Sequence, residues 1–268
     1  MDHAAHRHLA QRLMSALIAP PPSGKHKTGL LASVRSVDEA LIALVSGADI
    51  IDAKDPALGA LGALDPKEIS AIVKAVNGRC PISATTGDWP LGSAQLHSSY
   101  ASIQNTGVDY IKIGLFGATD EASLRNGLAQ LPSSPNPIGQ SPHRIAVILA
   151  DQGVPLWPLS ILKKYAFMGV MLDTANKHSG GLRTFESQET LAVFVAQAKS
   201  HGLMVGLAGS LRIEDISPLA ALNPHYLGFR TALCGKEGRN SNLDPNRIAQ
   251  LRIALERTYS SAPDLSAH

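Results

Sequence analysis

Eight short apolar runs recur along this chain, each followed by a longer stretch with helical patterning. The runs are GLLASV at 29–34, ADIIDAK at 48–54, PISATT at 81–86, VDYIKIG at 108–114, RIAVILA at 144–150, GVMLDT at 169–174, LMVGLAG at 203–209 and HYLGFRT at 225–231. Helix candidates follow at 37–48, 65–78, 93–106, 119–131, 155–166, 186–201, 212–221 and 244–258. In the second of these, Asp65 stands at the N-cap, Pro66 at the first helical position and Gly78 at the end. Strands alternating with helices predict parallel pairing through helical crossovers, and eight such units predict a single closed (β/α)8 TIM barrel. A doubly wound open sheet is the alternative. It is weakened because no glycine-rich dinucleotide fingerprint follows the first strand.

The length of 268 residues suits one barrel of about 250 residues, although two domains of roughly 130 residues also fit it. Residues 1–27 read as an N-terminal extension, with a short helical pattern at 6–18 and a linker-like PPPSGKHK at 20–27. The barrel is assigned to 28–260 and a C-terminal tail to 261–268, with a surface loop at 133–143.

Composition narrows the function classes. A net charge of +2 gives no electrostatic argument for nucleic acid or acidic membranes, and 4% aromatic residues supply few stacking platforms for bases. No uninterrupted apolar run reaches the roughly 18 residues of a membrane span, and LMSALIAP at 13–20 lacks a secretory pattern. The two cysteines, Cys80 and Cys234, form neither a disulfide framework nor a metal-ligand spacing. A cytoplasmic protein that binds a small molecule is the expectation, and a homo-oligomer is left open. The ten histidines form no metal constellation, and five of them lie in the terminal segments. No metal or other cofactor is expected.

Three of the apolar runs end in charge: IDAKDP at 51–56, DYIKIG at 109–114 and MLDTANK at 171–177. Side chains alternate faces along a strand, so Asp52 and Lys54 share one face while Ile51 and Ala53 point the other way. Lys112 shares a face with Tyr110, and Asp173 closes a strand whose Val170 and Leu172 face the helices. In a barrel, Asp52, Lys54, Lys112 and Asp173 would converge at the C-terminal mouth, where such enzymes build their sites, with Lys177 on the following loop. A desolvated lysine amine among other cations can act as a nucleophile toward carbonyls, and a second lysine or an aspartate can then move protons. Without chemistry, the same set would be a salt-bridged plug. Asp88 and Asp151 also follow strands and read as loop caps.

A second feature is GLAGSLRIED at 206–215. Gly209 and Ser210 sit between the seventh strand and a helix, where free backbone N–H groups bind phosphate well. The eighth unit adds Gly228 and Arg230, the arginine as a bidentate donor. Together they match the phosphate site commonly made by the last two loops of such barrels. Read alone, the segment is a glycine-rich turn with Ser210 as N-cap.

In this order, IDAKDPALGALGA, PISATTGD, YIKIGL, LDTANK and GLAGSL resemble the (5-formylfuran-3-yl)methyl phosphate synthase family, over roughly residues 29–258. The resemblance implies a (β/α)8 lyase that joins two molecules of glyceraldehyde 3-phosphate in methanofuran-type cofactor biosynthesis, and so one-carbon metabolism. It implies Lys54 as the Schiff-base lysine and Lys112 as the proton acceptor, with Asp52, Asp173 and Lys177 as the other charged site residues. Thr231 stands where a glycine of the family is expected. The rival readings are a class I aldolase acting on another sugar phosphate and a non-catalytic barrel that binds a phosphorylated ligand.

Overall fold

The computed structural model describes residues 27–132, 141–175, 180–235 and 238–260. The expected extension, apart from Lys27, the expected tail and most of the 133–143 loop lie outside these residues. Eight parallel strands close into a barrel in sequence order, with the last strand paired to the first. The strands are β1 (Gly29–Val34), β2 (Ile50–Ala53), β3 (Ile82–Thr85), β4 (Tyr110–Gly114), β5 (His143–Leu149), β6 (Phe167–Asp173), β7 (Met204–Leu207) and β8 (Tyr226–Phe229). The helices are α1 (Val37–Val45), α2 (Pro66–Val76), α3 (Ala94–Ile103), α4 (Glu121–Ala129), α5 (Pro158–Lys164), α6 (Leu182–Phe185), α7 (Gln188–Ser200), α8 (Ile216–Ala220) and α9 (Pro245–Ser260). No helix among the described residues is long and apolar enough to cross a membrane.

Local sequence explains the punctuation. Ser36, Asp65, Ser93, Asp120 and Ser187 each accept a hydrogen bond from a first-turn backbone N–H, so five helices begin on a side-chain cap. The predicted cap of α2 is in place, with Asp65 Oδ1 accepting from the Lys67 N–H at 2.7 Å. That helix ends at Asn77 in the left-handed conformation, one residue before the predicted glycine. The seventh connection departs from the reading. Instead of a helix over 212–221, a 3-10 turn at Ile213–Asp215 leads into the five-residue α8. Gln188 and Pro218 are tied by a 2.7 Å side-chain hydrogen bond that docks α7 against this short element.

Two apolar layers result from the strand alternation. Outward-facing Ile51, Ala53, Ile111, Ile113, Val170 and Leu172 are buried under the helices. Leu31, Ile50, Tyr110, Ile145, Val147 and Met171 fill the barrel interior. The interior is therefore packed below, and the polar groups of the strand ends sit on an apolar floor.

Candidate active site

Asp52, Lys54, Lys112 and Asp173 come together at the C-terminal mouth, lining one open cleft of about 510 Å³ with Ser33, Gly209, Ser210, Gly228 and Arg230. All four charged residues are buried: Asp52 is 1% exposed, Lys54 7%, Lys112 4% and Asp173 6%. Charges are buried at this level only when paired, and each pair joins two different strand ends. Lys112 Nζ on β4 lies 2.9 Å from Asp52 Oδ1 on β2. Lys54 Nζ, just past β2, lies 3.2 Å from Asp173 Oδ2 at the end of β6.

Register makes Asp52 the hub of the first pair. Ser33 on β1 and Ser83 on β3 are its neighbours in the parallel ladder. Their hydroxyls donate to opposite carboxylate oxygens, Ser33 Oγ to Oδ2 at 3.0 Å and Ser83 Oγ to Oδ1 at 2.6 Å. Burial pushes the Asp52 carboxyl upward. The charges of Lys112 and Lys54 and the Ser83 and Lys112 hydrogen bonds outweigh it, holding the group below its ordinary value. Asp52 is therefore a fixed anion. Asp173 is arranged differently: its Oδ2 accepts from the Lys54 ammonium, and its Oδ1 accepts from the Thr174 N–H at 2.8 Å. Lys177 lies outside the described residues.

The expected phosphate residues reach the same cleft, with two corrections. Gly209 and Ser210 do not open a helix, because the chain first makes an irregular turn. Gly209 has φ +112° and Ser210 φ +48°. A Cβ on Gly209 would lie 2.8 Å from the Thr174 methyl, so both the dihedral and the space call for glycine. Among the described residues, no acceptor meets the backbone N–H of Gly209 or Ser210.

Arg230 is the second correction, since its guanidinium is not available to a ligand. Nη1 donates to Glu39 Oε2 at 2.5 Å and to the Ser33 carbonyl at 3.2 Å. Nη2 donates to Glu39 Oε1 at 3.2 Å and to the Ser241 carbonyl at 3.0 Å, and Nε to the Arg239 carbonyl at 2.8 Å. Five donors meet five acceptors, which is the full capacity of the group. Gly228 faces inward on β8, where an added Cβ would meet Met171 Cε at 2.8 Å, so it admits the packed floor of the cleft.

Asp88 and Asp151 act as loop caps. Asp88 accepts from the Ala60 and Leu61 N–H groups at 2.8 and 2.7 Å, pinning the loop after β2. Asp151 Oδ1 accepts from the Ala175 N–H at 2.9 Å. Cys234 is buried, with its thiol donating to the Arg230 carbonyl at 3.2 Å. Ser33, which holds Asp52, was not foreseen from the sequence, and neither was a second cleft residue. Arg239, past β8, lines the cleft with the lysines. Its only linear signal was a charge just after two turn positions, Gly235 and Gly238, on the loop that leaves the last strand.

Fold and site together define a (β/α)8 barrel with a lysine–carboxylate centre at its C-terminal mouth, the layout of an enzyme. A sequence model of the 4-HFC-P synthase family matches residues 30–252, and the chain belongs to that family. A protein of Methylorubrum extorquens, provisionally named (5-formylfuran-3-yl)methyl phosphate synthase, is 45% identical, covering 84% of this chain and 91% of that protein. The (5-formylfuran-3-yl)methyl phosphate synthase of Methanocaldococcus jannaschii is 34% identical, covering 83% of this chain and 97% of that protein. Among solved structures, KGPDC from Streptococcus mutans aligns with a TM-score of 0.57 at 12% identity, over 87% of this chain and 100% of that one. Phosphoribosyl anthranilate isomerase from Thermus thermophilus gives 0.59, at 14% identity, over 85% and 98%. These structural likenesses concern the fold.

Proposed function

We propose that this enzyme joins two molecules of glyceraldehyde 3-phosphate into (5-formylfuran-3-yl)methyl phosphate through an imine on Lys54. The atoms balance: two triose phosphates give the furan phosphate, one orthophosphate and two waters. The observation that carries the reading is the pair of crossed, buried ion pairs, Lys54 with Asp173 and Lys112 with Asp52, at one mouth.

Lys54 must shed a proton before its nitrogen can attack the aldehyde carbon. Asp173, at hydrogen-bond distance from Nζ, is placed to receive it. Attack forms the C–N bond, and loss of the carbonyl oxygen as water leaves an iminium. The iminium withdraws electrons from the adjacent carbon, whose proton becomes removable. Lys112 takes that proton in its amine form, becoming the ammonium that pairs with Asp52. The resulting enamine carbon can attack the aldehyde of the second substrate. Asp52 is a positioning residue: anchored by two serines and kept anionic, it holds Lys112 in place. The backbone N–H groups of Gly209 and Ser210 face phosphate. The test is incubation with glyceraldehyde 3-phosphate, following furan-aldehyde absorbance and product mass, with borohydride added to trap the imine. An imine on Lys54 without furan would make the protein a Schiff-base aldolase. Neither signal would remove the catalytic reading.

A further inference from the structure

Charge pairing around the cleft leaves a remainder. Among the described residues lining it, four are cationic: Lys54, Lys112, Arg230 and Arg239. The first three are answered by Asp173, Asp52 and Glu39. Arg239 has neither a carboxylate at ion-pair distance nor a side-chain hydrogen bond among the described residues, and its Nε is buried without a partner. A buried, unpartnered guanidinium nitrogen is costly to maintain, and such groups ordinarily mark a missing acceptor.

The position is built. Arg230 Nε and Nη2 hold the carbonyls of Arg239 and Ser241 at 2.8 and 3.0 Å. The Ser241 N–H closes a turn onto the Gly238 carbonyl at 3.0 Å, and a bridge between Cys234 and Leu243 ties the base of the loop. One arginine thus spends two of its five donors on the backbone that presents the other. Burial is the main influence on the Arg239 side chain and holds it below its ordinary value, against the attraction of Asp173 and Asp55 and with the repulsion of Arg230. Asp173 is already hydrogen-bonded to Lys54 and Thr174.

We propose that Arg239 binds the phosphate of the substrate that enters beside Lys54, as a specificity-determining residue, and that the Arg230–Glu39 pair positions it. The planar fork suits phosphate oxygens, and the N–H groups of Gly209 and Ser210 on the same cleft offer a second grip. The identity of the phosphorylated molecule rests on the proposed function. The anion site rests on its own geometry.

Binding of sn-glycerol 3-phosphate, which has no aldehyde and cannot turn over, separates the two questions. Calorimetry on the full chain would compare it with inorganic phosphate and glycerol. Arg239→Gln should weaken glycerol 3-phosphate about ten- to hundredfold, and Arg239→Lys less, since it keeps charge but loses the fork. Arg125→Gln, on an outer helix beside Glu121, should change nothing. With glyceraldehyde 3-phosphate, Arg239→Gln should raise KM far more than it lowers kcat, the mark of uniform binding. If Arg239→Gln fails to fold, Arg239→Lys decides. Equal affinities in all variants, no binding by the wild type, or an Arg239 effect confined to inorganic phosphate would each overturn the assignment. Arg239-dependent binding in a protein that makes no furan would uphold the site and sink the reaction.

Discussion

Lys54 Nζ and Asp173 Oδ2 meet at 3.2 Å although their residues are 119 positions apart and stand on opposite sides of the barrel. Lys112, by contrast, answers to Asp52 on its own side. The two lysines are thus wired to different carboxylates, one anchored by hydroxyls and one beside a loop. The division of labour can be read chemically. Lys112→Ala should still give a borohydride-trappable adduct on a Lys54 peptide but no furan, and Lys54→Ala should give neither. Loss of the proposed proton acceptor should cost on the order of 10²–10⁴ in rate. Intact-mass detection beside an absorbance assay decides, and trapping in the Lys54 variant alone would reverse the roles.

Asp52→Asn should destabilise the fold. It leaves the buried Lys112 ammonium without its anion, a loss of about 3–5 kcal/mol for a broken buried pair. Urea unfolding measures it. A midpoint within error of wild type would show that Lys112 finds another counter-ion.

The same substitution carries a pH signature. Asp52 is held below its ordinary value in the fold, so its stabilisation is complete well above the unfolded carboxylate value of about 3.9 and is lost as pH falls through the lower, folded value. The stability gap between wild type and Asp52→Asn should be constant from about pH 6 to about pH 5 and shrink below about pH 4. A gap that persists undiminished into acid would contradict an anionic Asp52.

Glu39→Ala should disturb the site from outside it. Arg230 would lose two of its five acceptors and keep a buried charge. We expect about 3 kcal/mol of lost stability or more, together with a raised KM for the phosphorylated substrate. Unchanged KM at full occupancy of the fold would separate the bracket from ligand binding.

A chain beginning at Lys27 should fold and turn over. Among the described residues, Thr28 is the first with an anchoring bond to the barrel, its hydroxyl donating to the Pro224 carbonyl at 2.8 Å. Insoluble or inactive protein would show that the preceding segment packs on the barrel or on a partner.

Alternation and periodicity are local properties, so the strands and the shared face of Asp52 and Lys54 were legible in the sequence. So was convergence at the mouth, once eight units implied closure. Arg230 and Arg239 were not distinguishable. Each follows an apolar strand or a glycine, and what separates them is Glu39, 191 residues from Arg230 in sequence. The helix expected at 212–221 is shortened to Ile216–Ala220 for a related reason. Its pattern at 212–221 carries Pro218, and the segment takes its place by docking on Gln188 rather than by its own propensity.

The Glu39–Arg230 contact joins the first helix to the residue after the last strand, and with it the order of assembly becomes visible. The hydrogen-bond and ion-pair partners of Asp52, namely Ser33, Ser83 and Lys112, belong to the first four strands. A nascent chain halfway through synthesis already holds the parts of one ion pair. The cationic rim cannot exist until residues near Ser241 have emerged and folded back onto Arg230. The mouth is therefore finished by the same event that closes the barrel, and an incompletely made chain would carry the Lys112–Asp52 pair without the arginines that border it.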